Sequence, residues 1–343
     1  MATPIKSFSI EGVEGIVSEA GLPGFRASQI LSWLYEKSAS SYDEMTNLPL
    51  AVRSQLKQAY PLYKPQVVDR SESSDGSIKY LLKLYDGAFV ETVGLPSEDG
   101  RLTTCCSTQS GCAMGCSFCA TGMLGFTRNL GPGEMVDQVS VVQDDFGKRV
   151  TNVVMMGQGE PFLNYEATLS ALRIMNNPKL LNIGARHITV STCGVFEGIR
   201  RFSEEREQFT LAISLHSALQ ETRDYLIPSM RNQPLGDLRD LLKRYTEKTG
   251  RRFSFEYALM AGINDDEAHK DALVSYCRHL LCHVNLIPLN KVKESGFKPV
   301  ERQVMLEWKE SLEAVGIEAT VRRSRGGDIA AACGQLSSNY KNS

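Results

Sequence analysis

The residue types best able to do chemistry are concentrated in one short stretch, Gly111-Cys112-Ala113-Met114-Gly115-Cys116-Ser117-Phe118-Cys119. Three residues separate the first two cysteines and two separate the last two. Thiolates spaced this way can close around one small inorganic centre, and the small residues Ala113, Gly115 and Ser117 let the loop wrap tightly. Zinc takes four ligands, usually from two C-x-x-C pairs, and the chain has no second pair. Three thiolates suit an iron–sulfur cube with one iron left open to a substrate or cofactor. On the triplet alone, a structural zinc loop or three buried thiols remain alternatives.

The spacing resembles the signature of the radical S-adenosylmethionine (SAM) superfamily. The resemblance implies that the open iron chelates the amino and carboxylate groups of SAM. One electron then splits the sulfonium and yields a 5′-deoxyadenosyl radical.

Further polar and glycine residues recur just after apolar runs. These are Met156-Gly157-Gln158-Gly159-Glu160-Pro161, Ser191-Thr192-Cys193-Gly194, Ser214-Leu215-His216-Ser217 and Ile287-Pro288-Leu289-Asn290. In parallel α/β folds the active site lies beyond the carboxyl ends of the strands, so one pocket could gather them all. Gly157 and Gly159 allow close backbone approach to a ligand. Glu160 can accept from an ammonium or a ribose hydroxyl, and Ser191, Ser214, His216 and Asn290 offer neutral donors and acceptors. Taken singly, a glycine turn or one histidine is commoner as plain structure. Cys105 and the distant Cys333, inside a small-residue stretch near the C-terminus, are two further thiols to explain. Cys106, Cys193, Cys277 and Cys282 read as small core or near-site fillers.

The elements that must position these groups follow from periodicity. Residues 1–65 read as a helical accessory domain, with helices over 10–20, 25–37 and 50–59 broken at Gly21 to Gly24 and ended by Pro61 and Pro65. Residues 66–101 read as a β-hairpin extension turning at Asp86-Gly87. From residue 102 to 323 strands and helices alternate, which predicts an α/β fold: a partial (β/α)6 TIM-like barrel with a parallel sheet and outer helices. Residues 324–343 form a C-terminal segment carrying Cys333.

The 343 residues can bury a large core, and 42% hydrophobic content is ordinary for a globular protein. No apolar run is long enough for a bilayer, and the N-terminus lacks a signal-peptide core, so a cytoplasmic, non-membrane protein is expected. Nine cysteines in a reducing compartment read as ligands, catalysts or filler rather than disulfides. A net charge of −2 excludes binding to nucleic acid through a bulk basic field. RNA would need local patches such as Arg200-Arg201, Arg251-Arg252 or Arg322-Arg323-Ser324-Arg325.

The chain closely resembles the RlmN/Cfr family of radical SAM RNA methyltransferases. The resemblance rests on Cys105 ahead of the three-cysteine loop, Gly125-Phe126-Thr127-Arg128-Asn129-Leu130, Gly159-Glu160-Pro161, Ser214-Leu215-His216, Asn285-Leu286-Ile287-Pro288 and Ala332-Cys333-Gly334-Gln335-Leu336. It implies that Cys112, Cys116 and Cys119 hold a [4Fe–4S] cluster. It also implies that Gly159, Glu160, Ser191, Ser214, Leu215, His216 and Asn290 line the SAM site. One SAM would methylate the Cys333 sulfur, and a second would generate the radical that activates that methyl for attack on an adenine carbon. Glu91 would remove a proton from the resulting adduct, and Cys105 would release the RNA through a transient disulfide with Cys333.

By resemblance the substrates are a 23S rRNA adenosine in the peptidyl-transferase centre and adenosine 37 of tRNA, methylated at C2. Pro161 resembles the C2 branch; Cfr-type methylation at C8 is the alternative. The expected partners are those RNAs and an electron donor such as flavodoxin or ferredoxin, with the enzyme a monomer. Three positions depart from the family pattern: Gln158 in place of Met, one additional residue between Glu91 and Cys105, and Lys291 in place of Pro. A non-catalytic iron–sulfur or zinc RNA-binding protein would leave Cys105, Cys333 and Glu91 unexplained, and a radical SAM enzyme acting on a small molecule would not need a methylated Cys333.

Overall fold

The computed structural model describes residues 2–292 and 295–337; the end of the expected C-terminal segment, 338–343, lies outside them. Helix α1 (Ile10–Glu19) starts at Ser9, whose hydroxyl accepts the Gly12 N–H at 3.1 Å. Helix α2 (Phe25–Leu31) runs into a wider π-type turn at Ser32–Glu36, and α3 (Leu50–Ala59) completes the N-terminal group.

The next stretch differs from the expected single hairpin. It forms three antiparallel strands, β1 (Gln66–Glu72), β2 (Ile78–Lys83) and β3 (Phe89–Pro96). Aspartate–glycine pairs sit in both turns, with Gly76 at φ 79° and Gly87 at φ 86°. Strand β1 escaped notice in the sequence because it is an edge strand, mostly solvent-facing, with Asp69, Arg70 and Glu72 in place of an apolar alternation.

Strand β4 (Leu102–Cys105) pairs antiparallel with β3, and the chain then enters the cysteine region. That region is framed by β5 (Gln109–Gly111), the short helix α4 (Ala120–Leu124) and β6 (Phe126–Asn129). Next come α5 (Pro132–Phe146), β7 (Asn152–Met155), α6 (Tyr165–Asn176), β8 (Ile188–Thr192), α7 (Phe196–Phe202) and β9 (Thr210–Ser214). Two helices, α8 (Gln220–Leu226) and α9 (Leu235–Thr249), precede β10 (Phe253–Leu259). The series ends with α10 (Glu267–Cys277), β11 (Cys282–Pro288), α11 (Arg302–Glu313) and β12 (Ala319–Val321).

One sheet of 10 strands results, in the order β1-β2-β3-β4-β7-β8-β9-β10-β11-β12, and it is parallel from β4 to β12. Strands β4 and β12 are not paired with each other among the described residues. This is the open, partial barrel expected from the alternation of strands and helices. The three antiparallel strands extend its sheet rather than standing apart from it.

The N-terminal helices share the barrel's core: Val13, Ile30, Leu34 and Leu56 belong to one buried cluster with Val136, Val139 and Leu172. A buried ion pair joins Lys6 to Asp137 on α5. Burial pushes the Asp137 carboxyl upward, and Lys6 opposes that shift. Lys6→Met should therefore destabilise the fold by about 3–5 kcal/mol, because it strands a buried carboxylate. Chemical denaturation checks this, and the Lys6→Met/Asp137→Leu double variant should recover most of the loss.

Candidate active site

The cysteine loop is held from both sides. Gly111 sits at φ 74°, and a Cβ there would lie 2.0 Å from the Gly125 carbonyl oxygen, so only glycine fits. The Cys112 N–H donates to that same carbonyl at 2.9 Å. Across the loop, the N–H of Ser117 donates to the carbonyl of Leu226, at the end of α8, at 3.0 Å. Cys112, Cys116 and Cys119 line one cavity of about 160 Å³.

Burial raises the Cys112 thiol to about 12 and also lifts Cys119. Backbone N–H groups act in the opposite direction, that of Met114 on the Cys112 sulfur at 3.5 Å and those of Gly122 and Thr121 toward Cys119. Partly buried thiols with N–H donors aimed at their sulfurs fit thiolates bound to a metal centre, which removes their protons outright. Among the described residues, no three His, Cys, Asp or Glu side chains converge on a single-ion site.

The strand ends supply the remaining wall. Gly159 has φ 98°, and a Cβ there would meet Gln109 Cβ at 2.5 Å. Glu160 is buried; it accepts the Phe162 N–H at 3.0 Å and the Cys193 N–H at 2.7 Å, and burial raises its carboxyl. The hydroxyls of Ser191 and Ser214 lie 3.3 Å apart on neighbouring strands.

His216 adopts a positive φ of 56°. Its Nδ1 accepts the Ala258 N–H at 3.1 Å, and burial depresses the imidazole to about 3. The ring is therefore neutral, with its proton on Nε2. It stands edge-on to Phe118, with the ring centroids 4.8 Å apart. Asn264, which the sequence reading overlooked, locks this corner by donating to the carbonyls of His216 at 2.6 Å and Ala258 at 2.8 Å.

Gly159, Glu160, Ser191, Ser214, His216, Asn290 and Cys333 all line the cavity with the three cysteines. Leu215 does not; its side chain is buried in the main core. Nor does Gln158, whose side-chain oxygen accepts the Glu91 N–H at 3.1 Å and whose carbonyl takes the Thr108 N–H at 2.8 Å.

The tail reaches the site because it is clamped at two ends. Asp328 accepts from the Ser73 hydroxyl at 2.6 Å and the Ser74 N–H at 3.0 Å, and Asp75 accepts the Gly326 N–H at 2.9 Å. Farther on, Thr121 donates to the Leu336 carbonyl at 2.6 Å, and the Ala120 N–H donates to the Gly334 carbonyl at 2.8 Å. Asn290 Nδ2 donates to the Cys333 carbonyl at 3.1 Å.

Cys333 thus sits beside the helix that follows Cys119. It also lines a second, larger cavity of about 570 Å³ together with Cys105 and Cys119. Surrounding protein raises the Cys333 thiol, yet the residue stays open to solvent. Burial, with Cys333 as the neighbouring charge, also raises Cys105, which packs beside Ala331 and Leu336.

Glu91 lines neither cavity. It is buried on β3 and paired with Lys79 at 3.1 Å; burial raises its carboxyl, while Lys79 and the Ser337 N–H pull it down. Lys79 also donates to the Ala330 carbonyl at 3.2 Å, so the tail covers this pair. Of the three basic runs, Arg322, Arg323 and Arg325 line the larger cavity, as does Arg252. Arg200 and Arg201 pair instead with Glu197 and Glu166. Residues that sequence reasoning missed include Lys79, Arg223 and Glu256, the last of which lines both cavities. No local motif marks any of the three, because each is defined by what lies across the fold.

Two family models match the chain: the radical SAM superfamily over residues 106–273, and the ribosomal RNA large subunit methyltransferase N-terminal domain over residues 5–61. A "Probable dual-specificity RNA methyltransferase RlmN" from Pelotomaculum thermopropionicum is 45% identical over 334 residues, covering 97% of this chain and 90% of the relative. A protein of the same description from a Synechococcus species is 46% identical, covering 98% and 97%. The crystal structure of a radical SAM methyltransferase from Sphaerobacter thermophilus superposes with a TM-score of 0.92 at 44% identity, covering 98% of this chain and 100% of that one. Three cysteines facing a shared cavity, a tail thiol beside them and near-full-length identity to such relatives lead to one conclusion: the chain belongs to the RlmN family of radical SAM RNA methyltransferases.

Proposed function

We propose that this enzyme methylates C2 of an adenosine in the 23S rRNA peptidyl-transferase centre and of adenosine 37 in tRNA, using Cys333 as the carrier of the carbon unit. The observation that carries this reading is the position of Cys333, at the junction of the cysteine-lined cavity and the cavity holding Cys105. Cys112, Cys116 and Cys119 would hold a [4Fe–4S] cluster, with SAM against Gly159, Glu160, Ser191, Ser214, His216 and Asn290, and backbone contacts at Leu215. Bound there, the cluster and SAM supply one-electron chemistry able to activate an otherwise inert methyl group.

The chain's own residues do the rest. Cys333 Sγ bears the methyl and becomes bonded through that carbon to the adenine. Glu91 takes the proton from the adduct carbon. The Cys105 thiolate attacks Cys333 Sγ; a disulfide forms, the carbon–sulfur bond breaks, and its electron pair stays with the carbon, which takes up a proton. Arg322, Arg323 and Arg325 give the larger cavity a cationic wall suited to RNA phosphates. Residues 1–65 would serve as an accessory domain with RNA contact, and a flavodoxin or ferredoxin as electron donor in the cytoplasm.

Nucleoside mass spectrometry of rRNA and tRNA from cells lacking the gene tests the reading. Loss of 2-methyladenosine from both RNAs is expected, whereas loss of an 8-methyl product would assign C8 instead. A pH profile tests Glu91. The base works ionised, so turnover should rise with pH through a midpoint above the ordinary glutamate range. Lys79 holds that midpoint down, so Lys79→Met should move the acidic limb to higher pH, and an unmoved limb would remove Glu91 from the role.

A further inference from the structure

Arg223, on α8, is only 1% exposed. Its Nη1 donates to the Ser214 carbonyl at 3.0 Å and to the Leu215 carbonyl, and its Nη2 donates to the Cys193 carbonyl. Its Nε–H is buried with no partner. Among the described residues it makes no ion pair with a carboxylate. A guanidinium stripped of water and answered only by neutral carbonyls carries a large desolvation cost, and a nearby anion would offset it.

The structure indicates where that anion belongs. Arg223 holds the carbonyls of Cys193 and Ser214, and both residues line the cavity with Cys112, Cys116 and Cys119. Cys193 and Cys116 pack against the same apolar cluster. The helix that carries Arg223 also ends in the Leu226 carbonyl that anchors Ser117, within the cysteine loop. Gly194, beside Arg223, is kept free of a side chain: a Cβ there would lie 3.4 Å from Arg223 Nη2, at a backbone φ of 101°. The cation therefore stands directly behind the wall where the loop and two strand ends meet.

We propose that Arg223 is a positioning residue whose fixed charge balances the anionic, thiolate-held cluster and raises its reduction potential, while its hydrogen bonds set the spacing of the strand ends at Cys193, Ser214 and Leu215. The proposal rests on Cys112, Cys116 and Cys119 holding that cluster. Reduction adds one negative charge, so a buried cation stabilises the reduced form more than the oxidised one. Burial and hydrogen bonding near the sulfurs tune such potentials in the same way.

The test is a redox titration, followed by electron paramagnetic resonance, of full-length protein reconstituted anaerobically with iron and sulfide. Arg223→Gln and Arg223→Met are the neutral variants, and Arg223→Lys retains the charge. The neutral variants should be at least tenfold harder to reduce, a potential about 59 mV more negative for a one-electron couple. Arg223→Lys should stay close to wild type. If one neutral variant fails to fold, the other carries the measurement. An unchanged potential at full iron content, or equal shifts in the lysine and neutral variants, would overturn the proposal alone. A wild-type protein that takes up no cluster, or a Cys116→Ala variant that keeps one unaltered, would overturn the cysteine assignment and the proposal with it.

Discussion

Cys105→Ala protein, incubated with SAM, a reductant and RNA, should end as a covalent protein–RNA conjugate joined through Cys333. Cys105 lines the larger cavity with Cys333 and packs beside the tail residues Ala331 and Leu336. Among the described residues, Cys333 and Cys105 are the only thiols that line this cavity besides Cys119, and Cys119 is assigned to the cluster. Within this cavity no other thiol is left to attack the Cys333–carbon bond. With Cys105 gone, each chain stops after one turnover. A denaturing gel should show RNA migrating with the protein, and nuclease digestion should leave a nucleotide on the Cys333 peptide. Recovery of only free RNA would exclude Cys105 as the releasing thiol.

Removal of the three loop thiols should have the other large effect. Cys112→Ala/Cys116→Ala/Cys119→Ala protein, reconstituted with iron and sulfide, should remain colourless, bind no iron beyond background and methylate no RNA. The fold should persist. The loop is fastened by backbone bonds, from Cys112 to Gly125 and from Ser117 to Leu226, and all three cysteines are only partly buried. Their truncation in metal-free protein should therefore cost no more than about 1 kcal/mol. Thermal unfolding alongside iron analysis separates the two effects: full iron binding by the triple variant would contradict the assignment, and global unfolding would contradict the stability estimate.

Much of this molecule could be read from its sequence, and the exceptions have physical causes. Helix α9 is legible in the sequence because Leu235, Leu238, Leu241, Leu242 and Tyr245 repeat at helical spacing and are all buried. Strand β10 is legible because it is apolar nearly throughout, as a strand covered on both faces must be. Strand β1 is not, since its pairing is set by β2 and not by an apolar face.

In the site, Gly159 was legible because a positive φ and a crowded neighbour leave no other residue possible. Cys333 was visible only as a thiol among small residues; its nearness to the cysteine loop depends on hydrogen bonds from Ser73 and Thr121, which lie more than two hundred positions away. Glu91 is the instructive case. The resemblance assigned it a proton-transfer role, yet it lies sealed beneath Lys79 and the tail, outside both cavities. That cover comes from Lys79 and the Ala330 carbonyl, contacts that no reading of local sequence would reveal. Arg223 was invisible for a related reason: its meaning lies in three carbonyls contributed by two other strand ends.

The most direct measurement of the central claim is peptide mass spectrometry of wild-type protein purified after exposure to SAM. The peptide containing Cys333 should carry one additional methyl on sulfur, and the same peptide from the triple cysteine variant should carry none. A Cys333 peptide that is unmodified in protein fully active on RNA would contradict the claim that this sulfur carries the transferred carbon.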